Sequence, residues 1–516
     1  MPRFFNVAGP CVPEEHYLVP ALARLPQIPG LIAQKQFFVI HAARQSGKTT
    51  LLNALEKELN AAGTHVALYC SLETVQGIAA AEQGVPAIIA AILNGLAWHP
   101  AFKHQPPPVV DLASYTMAVN KLLCQLSQAA GKPLVVLFDE ADCLGGQTLI
   151  SFLRQLRDGY VNRSRAPFPV SVALVGMRNI RDYKASVRPE SETLGSASPF
   201  NIVTDALTLV NFTRLEIAAL YGQHTAETGQ LFEEAAIERA AYWSGGQPWL
   251  VNALARECVE KILKLDTTRP VTAAYMDQAA EALLRRRDTH LDSLLERLKE
   301  PRVQLFVEPV IMGTEPVDSS LSDDCQYVLD LGLLKSEDRT LKPANPIYAE
   351  VILRTLSYAT QENMGRNIVA TPWVVGDRLD MSGLLRAFQE FWRENSEIWQ
   401  ERYAYREAAP HLILQAFLQR VINGGGQLVR EYALGRQRLD LLVCWQAQRY
   451  ALELKLKTQY RKPEAAHDQL FGYLDRLGQT EGWLAVFDRD PAVSWEAKLT
   501  WQTLARDGKT IHVVGL

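Results

Sequence analysis

The stretch Phe37 to Thr50, FFVIHAARQSGKTT, constrains this chain more than any other. An apolar run of strand length ends at His41, a loop of small and polar residues closes on Gly47-Lys48-Thr49, and LLNALEKEL follows with helical periodicity. Strand, loop and helix in that order gather backbone N–H groups and the positive end of a helix dipole around one anion, an arrangement suited to a triphosphate. Gly47 lets the backbone approach the phosphates, Lys48 offers an ammonium to the β and γ phosphates, and the Thr49 hydroxyl can ligate Mg²⁺. Ala42, Arg44, Gln45, Ser46 and Thr50 complete the nucleotide-binding loop. The pattern GxxxxGK[ST] has its first Gly at position 42, where this chain carries Ala42. Ala tolerates positive φ poorly, so the entry to the loop is expected to differ from the usual one.

A chain of 516 residues exceeds one hydrophobic core, so two to four domains are expected. Lys plus Arg (53) nearly balances Asp plus Glu (57), so no global field argues for nucleic acid or membrane and local charge must decide. Seven Cys are scattered without CxxC spacing, which fits a reducing compartment and no structural zinc. No apolar leader and no run of membrane-spanning length is seen, so a cytoplasmic location without membrane contact is expected.

Downstream, THVALYCSLE (Thr64 to Glu73) reads as a second buried strand, Gly95 to Pro108 as a loop, and Ala113 to Ala130 as a helix. PLVVLFDEAD (Pro133 to Asp142) is an apolar strand running into Asp139-Glu140, two carboxylates at a strand's C-terminal end, where open α/β sheets bind ligands. Asp139 suits the hold on Mg²⁺, and Glu140 suits a base that orients the attacking water. A helix from Gly146 to Asp158 leads to a strand from Val170 to Met177. In P-loop ATPases with a strand inserted between the two Walker motifs, that strand ends in a γ-phosphate sensor, here Arg178. LTLVNF (Leu207 to Phe212) is read as the fifth strand. Residues 1–212 thus form a P-loop ATPase core of three α/β/α layers.

Residues 213–269 are helical and interrupted by Gly245-Gly246-Gln247-Pro248, a turn that gives the next helix a fixed start. The loop at Ala42 to Thr50, LVVLFDEAD, LVGMR and GGQPWL together resemble the AAA-like ATPases of bacteria and archaea that lie close to the STAND class. The resemblance implies ATP as cofactor, a helical lid whose Pro248 contacts nucleotide, Arg178 as sensor, a winged helix over residues 270–360 and ATP-dependent assembly into a homo-oligomer.

A linker with an amphipathic helix, GLLRAFQEFWRENSEIW, occupies 361–400, and the last domain spans 401–516. Between Arg402 and Lys462 eleven Lys or Arg face four Asp or Glu, a net of +7 that fits a phosphate backbone. Two alternating strands, Arg438 to Trp445 and Arg449 to Lys457, flank Gln446-Ala447-Gln448, and a simple hairpin there sets Asp440 nearly across from Glu453. Leu452, Leu454 and Leu456 share one face, and Glu453 and Lys455 share the other. Two carboxylates can hold Mg²⁺ while a lysine steadies the nucleophile or the developing charge, although alternating charge also occurs on any solvated strand. Glu407 precedes the helix AAPHLILQAFLQRV, and Gln469 and Tyr473 lie one helical turn apart. This set resembles the PD-(D/E)XK nuclease superfamily: Asp440 matches the motif's Asp, Glu453 and Lys455 its ExK, and Gln469 and Tyr473 its QxxxY, while Leu439 replaces the usual Pro. The resemblance implies a restriction-endonuclease-like α/β domain that uses Mg²⁺ or Mn²⁺ to cut nucleic acid, DNA first among candidates. ATPase and nuclease together resemble fusions associated with phage defence or mobile elements. The alternative is a STAND-like switch or scaffold that binds nucleic acid without cutting it.

Overall fold

Apolar strands alternating with amphipathic helices dominate the first half of the chain, the pattern that builds a parallel sheet covered on both faces. The computed structural model describes residues 3–106, 108–177, 203–286, 296–298, 300–311, 322–352, 373–375, 378–402, 413–415, 417–418, 426–434, 437–457, 460, 462–488, 490 and 492–516. The chain divides into two compact units, one from Met1–Phe306 and Val317–Ala349, the other from Val307–Pro316 and Glu350–Leu516.

In the first unit β1 (Phe37–His41), β2 (Val66–Ser71), β3 (Leu134–Asp139), β4 (Ser171–Gly176) and β5 (Val203–Thr208) form a five-stranded parallel sheet of order β2-β3-β4-β1-β5. Alternate residues of each strand face opposite layers. Phe37, Val39, Leu68, Val136 and Phe138 join the core that includes Val85, Ile88, Leu122 and Leu153 of the helices Ala81–Trp98, Tyr115–Ala129 and Gly146–Asn162. Phe38, Ile40, Val135, Leu137 and Val175 pack with Leu31, Leu51 and Leu55 of Ile28–Ala33 and Lys48–Ala62. Parallel strands require crossovers, and these crossovers supply the outer layers.

Two boundaries differ from the sequence reading. The fifth strand is Val203–Thr208, not Leu207 to Phe212. Among the described residues it is an edge strand bonded only to β1, so it needs no continuous apolar run, and Asp205, Ala206 and Thr208 on it are exposed. The loop read from Gly95 begins only after Trp98. Gly95 does not break its helix; a Cβ there would lie 2.8 Å from the Tyr69 carbonyl, so its absence lets helix and β2 approach.

Beyond the sheet follow the helices Arg214–Thr228, Glu234–Ser244, Pro248–Arg256 and Ala273–Arg286. Phe5 and Tyr17 of the N-terminal segment are buried beside Tyr221, His224 and Phe232 of this helical region. Further on, the helix Asp323–Asp330 leads into the hairpin of β6 (Leu334–Glu337) and β7 (Thr340–Pro343), and residues 346–352 are again helical. Asp338 and Arg339 turn the hairpin with φ of 51° and 63°, the left-handed pair of a type I′ turn.

From residue 373 onward the second unit carries a short hairpin, β8 (Val374–Val375) and β9 (Arg378–Leu379), and the helix Met381–Arg402. β10 (Gly426–Leu434), β11 (Gln437–Trp445), β12 (Gln448–Leu456), β13 (Glu481–Phe487), β14 (Trp501–Arg506) and β15 (Lys509–Gly515) form a mixed sheet of order β10-β11-β12-β13-β15-β14. β12, β13 and β15 are parallel, and the other pairings are antiparallel. One face packs Leu452, Leu454 and Phe487 against Phe388 and Trp392. The other packs Ala451, Leu484 and Ile511 against Leu470 and Leu474 of the helix Pro463–Leu477. The helix placed in a linker by its sequence is therefore built into this core, because its apolar stripe finds a sheet face to cover. Among the described residues no helix is long and apolar enough to cross a membrane.

Candidate nucleotide and metal sites

The loop from Ala42 to Thr50 leaves the carboxyl end of β1, where the sheet order reverses. Its turn uses positive φ at Gln45 (57°) and Gly47 (93°), whereas Ala42 is not among the left-handed residues and is buried in the core, its N–H donating to the Gly176 carbonyl at 3.3 Å. The missing glycine therefore demands no positive φ at position 42. The loop's carbonyls are bound by its own side chains and from outside. Lys48 Nζ donates to Ala42 O and Ala43 O, both at 3.0 Å, and Ser46 Oγ donates to Ala43 O at 2.8 Å. Gln247 Nε2 donates to Arg44 O at 3.3 Å and Gln45 O at 3.4 Å, and Arg24 Nη1 to Ser46 O at 3.3 Å. Thr50 Oγ1 accepts from Cys11 N at 3.0 Å.

The two Walker elements meet at one carboxylate. Thr49 Oγ1 donates to Asp139 Oδ2 at 2.7 Å, Tyr69 OH reaches the same oxygen at 3.1 Å, and Glu140 N donates to Asp139 Oδ1 at 3.0 Å. Glu140 sits in the left-handed region (φ 53°, ψ 37°) just past the end of β3. Burial raises its pKa above the usual carboxylate value, and Asp142 adds to the effect. Burial lowers the pKa of Lys48, an effect that Glu140, Asp142 and Asp139 oppose. A hydroxyl and a buried carboxylate touching beside a phosphate-loop helix suit Mg²⁺, which takes few protein ligands and completes its shell with waters and phosphate.

In the second unit the ladder between β11 and β12 runs from Trp445 opposite Gln448 to Leu441 opposite Leu452. One pair further along, side chains replace the ladder: Asp440 N donates to Glu453 Oε2 at 3.3 Å, and Leu454 N donates to Asp440 Oδ2 at 2.8 Å. The turn is the two residues Gln446-Ala447, and Gln448 already belongs to β12. Lys455 Nζ lies 2.7 Å from Glu453 Oε1 and 3.8 Å from Asp440 Oδ2, an ammonium held between two carboxylates. Glu453 is only 1% exposed; burial first, then the Asp440 charge, push its pKa up to about 7. Burial opposes the charge of Lys455, but Asp440 and Glu453 outweigh it and raise its pKa. Gln469 Nε2 donates to Tyr473 OH at 2.6 Å, and Tyr473, fully buried, has its pKa raised by burial.

Among the described residues no group of three or more His, Cys, Asp or Glu is arranged as a metal cage. Each candidate site instead offers a pair, Thr49 with Asp139 and Asp440 with Glu453. Arg178 and Glu407 lie outside the described residues. Pro248 opens its helix and is buried, yet the residue of that turn bonded to the phosphate loop is Gln247, which also caps the helix by accepting from Leu250 N at 2.6 Å. Gly246 permits this turn: a Cβ there would lie 2.0 Å from Phe212 O. Sequence reasoning missed Arg24, Tyr69 and Gln247. Tyr69 left a trace as a hydroxyl within the apolar strand VALYCS, and Gln247 lay inside the GGQP turn, next to Pro248, the residue expected to contact nucleotide.

The AAA domain family matches residues 32–183. No curated protein matches the chain. Among solved structures, the Walker-type ATPase PABY2304 of Pyrococcus abyssi is 16% identical, with a TM-score of 0.49 over 67% of this chain and 99% of that one. The ORC2 protein of Aeropyrum pernix is 13% identical, with a TM-score of 0.38 over 66% and 92%. The RuvB Holliday junction branch migration motor of Thermotoga maritima is 14% identical, with a TM-score of 0.34 over 62% and 89%. With its loop, its parallel sheet and this family match, the first unit carries an AAA-like P-loop ATPase domain.

Proposed function

We propose that the ATPase domain binds and hydrolyses Mg²⁺-ATP and thereby governs a metal-dependent nuclease in the second unit that acts on nucleic acid, DNA first. In the ATPase, Lys48 and the N–H groups around Gly47 hold the phosphates, Thr49 and Asp139 hold Mg²⁺, Glu140 orients the attacking water, and Arg178 senses the γ-phosphate. The helical region with Gln247 and Pro248 serves as the lid, the β6–β7 hairpin as the wing of a winged helix, and ATP drives assembly into a homo-oligomer. A role in phage defence or mobile-element biology belongs to the same reading.

One observation carries the nuclease: Asp440, Glu453 and Lys455 converge where the β11–β12 ladder gives way to side chains. Asp440 and Glu453 would hold Mg²⁺ or Mn²⁺, with Glu407 as a further acid. When bound, the metal supplies a Lewis acid for the phosphodiester and lowers the pKa of a bound water. Lys455 places positive charge beside the developing phosphorane, and Gln469 fixes the Tyr473 hydroxyl beside that charge cluster.

The test is cleavage of plasmid, single-stranded DNA and RNA with Mg²⁺ or Mn²⁺, with and without ATP, by the wild type, Asp440→Ala and Lys455→Ala. Metal-dependent cutting that both substitutions abolish is expected. No cutting of any substrate would favour a STAND-like switch or scaffold that binds nucleic acid without cleaving it.

A further inference from the structure

The geometry points to Arg24 as a second cation of the nucleotide site, a binding residue that answers the charge of the polyphosphate from the outer side of the Gly47–Thr49 turn. This rests on the nucleotide reading of that loop. Arg24 comes from the N-terminal segment, on the short turn Leu22–Arg24 that precedes β1. Its Nη1 donates to Ser46 O at 3.3 Å, its Nη2 donates to Val210 O, and its guanidinium lies 4.8 Å from the centre of the Phe212 ring. A Cβ on Gly47 would stand 3.8 Å from Nη1.

What sets this arginine apart is the absence of an anion in contact with it. Among the described residues it makes no ion pair, its hydrogen-bond partners are neutral carbonyls, and its Nε is buried without an acceptor. Glu216 is the one acid whose field reaches it; its carboxylate is held in the capping box with Thr213 and makes no ion pair with Arg24. Lys48 differs, since three carboxylates offset its charge. Arg24 also stands beside the N-terminal end of the helix Lys48–Ala62, where the helix dipole adds positive potential. A half-buried cation that touches no anion, with a single acid acting on it at a distance, is unfavourable by itself beside a second source of positive potential. An anion bound to the N–H groups at Gly47 and Lys48 removes the imbalance, and the gain grows with the anion's charge. Arg24 therefore discriminates by phosphate number, and its carbonyl contacts hold it at the turn.

The test titrates ATP, ADP and adenosine by calorimetry into wild type, Arg24→Gln and Arg24→Lys, with thermal melting as a control for folding. Arg24→Gln is expected to lose roughly tenfold in ATP affinity, less for ADP and nothing for adenosine, while Arg24→Lys keeps most of the ATP affinity. Unchanged ATP affinity in Arg24→Gln, or an equal loss for ATP and adenosine, would overturn the inference. Should Arg24→Gln fail to fold, Arg24→Lys decides: retained ATP preference supports a charge role, and its loss leaves only a brace. A wild type that binds no ATP is a separate failure that removes the nucleotide reading and this inference with it.

Discussion

Thr49 Oγ1 lies 2.7 Å from Asp139 Oδ2, so the phosphate loop and the acidic end of β3, 90 residues apart, share one hydrogen bond. Because hydroxyl and carboxylate are proposed to hold the same Mg²⁺, their losses should not add. Thr49→Ala and Asp139→Asn are each expected to weaken Mg²⁺-ATP binding. The double variant should fall short of the sum by on the order of 1 kcal/mol. A double-mutant cycle of Mg²⁺-ATP affinity checks this, and strict additivity would show that the two residues serve separate ends.

Glu140 has the position and the raised pKa of a group that exchanges protons. Glu140→Gln is expected to retain ATP affinity while hydrolysis drops by about 10²- to 10⁴-fold. Since only the ionised carboxylate can act as base, wild-type turnover should rise with pH through the raised pKa. Phosphate release measured across pH decides the matter, and a Gln variant that keeps near-normal turnover would exclude Glu140 as the base.

Gln247 joins the helical region to the phosphate loop through the carbonyls of Arg44 and Gln45. Gln247→Ala removes both contacts and the cap on Leu250 N. Each hydrogen bond contributes about 1 kcal/mol, so a several-fold loss of ATP affinity and a lower melting temperature are expected. Addition of ATP should stabilise the variant less than the wild type in a thermal melt. Equal ATP-induced shifts would show that the helical region does not respond through this side chain.

The layered ATPase sheet was legible because its strands are near-continuous apolar runs, each ending at a loop with distinct chemistry. The β11–β12 register was legible for a related reason: alternation and a short turn leave little freedom, and Asp440 and Glu453 meet at the end of the ladder. The burial of Glu453 was not legible. Alternating charge implied a half-solvated face, yet the helix Pro463–Leu477 covers it. Neither Arg24 nor the reach of Gln247 to the loop could be found by pattern, because these contacts span 22 and about 200 residues, with no local periodicity linking contact to sequence. The fifth strand was misplaced because an edge strand with Thr204 and Asp205 lacks the apolar run that marks a central one.

Glu453 sets a conflict between folding and metal that pH should expose. Its pKa rises from 4.5 to about 7 on folding, so between these values the folded chain binds more protons than the unfolded one. The sign follows: without metal, stability of the second unit should be full below the unfolded value and decline as pH climbs through the folded value. The decline amounts to roughly 3 kcal/mol as an upper estimate. A divalent ion needs the carboxylate, so binding below about pH 7 must expel the proton, and affinity should fall with each step of acidification and level off above that point. Calorimetric titration of Mn²⁺ in buffers of different ionisation enthalpy reads the released proton directly. Glu453→Gln should abolish both the proton release and the high-affinity site, whereas Tyr473→Phe should leave the proton release in place. Metal binding without proton release at about pH 6 would remove Glu453 from the ligand set.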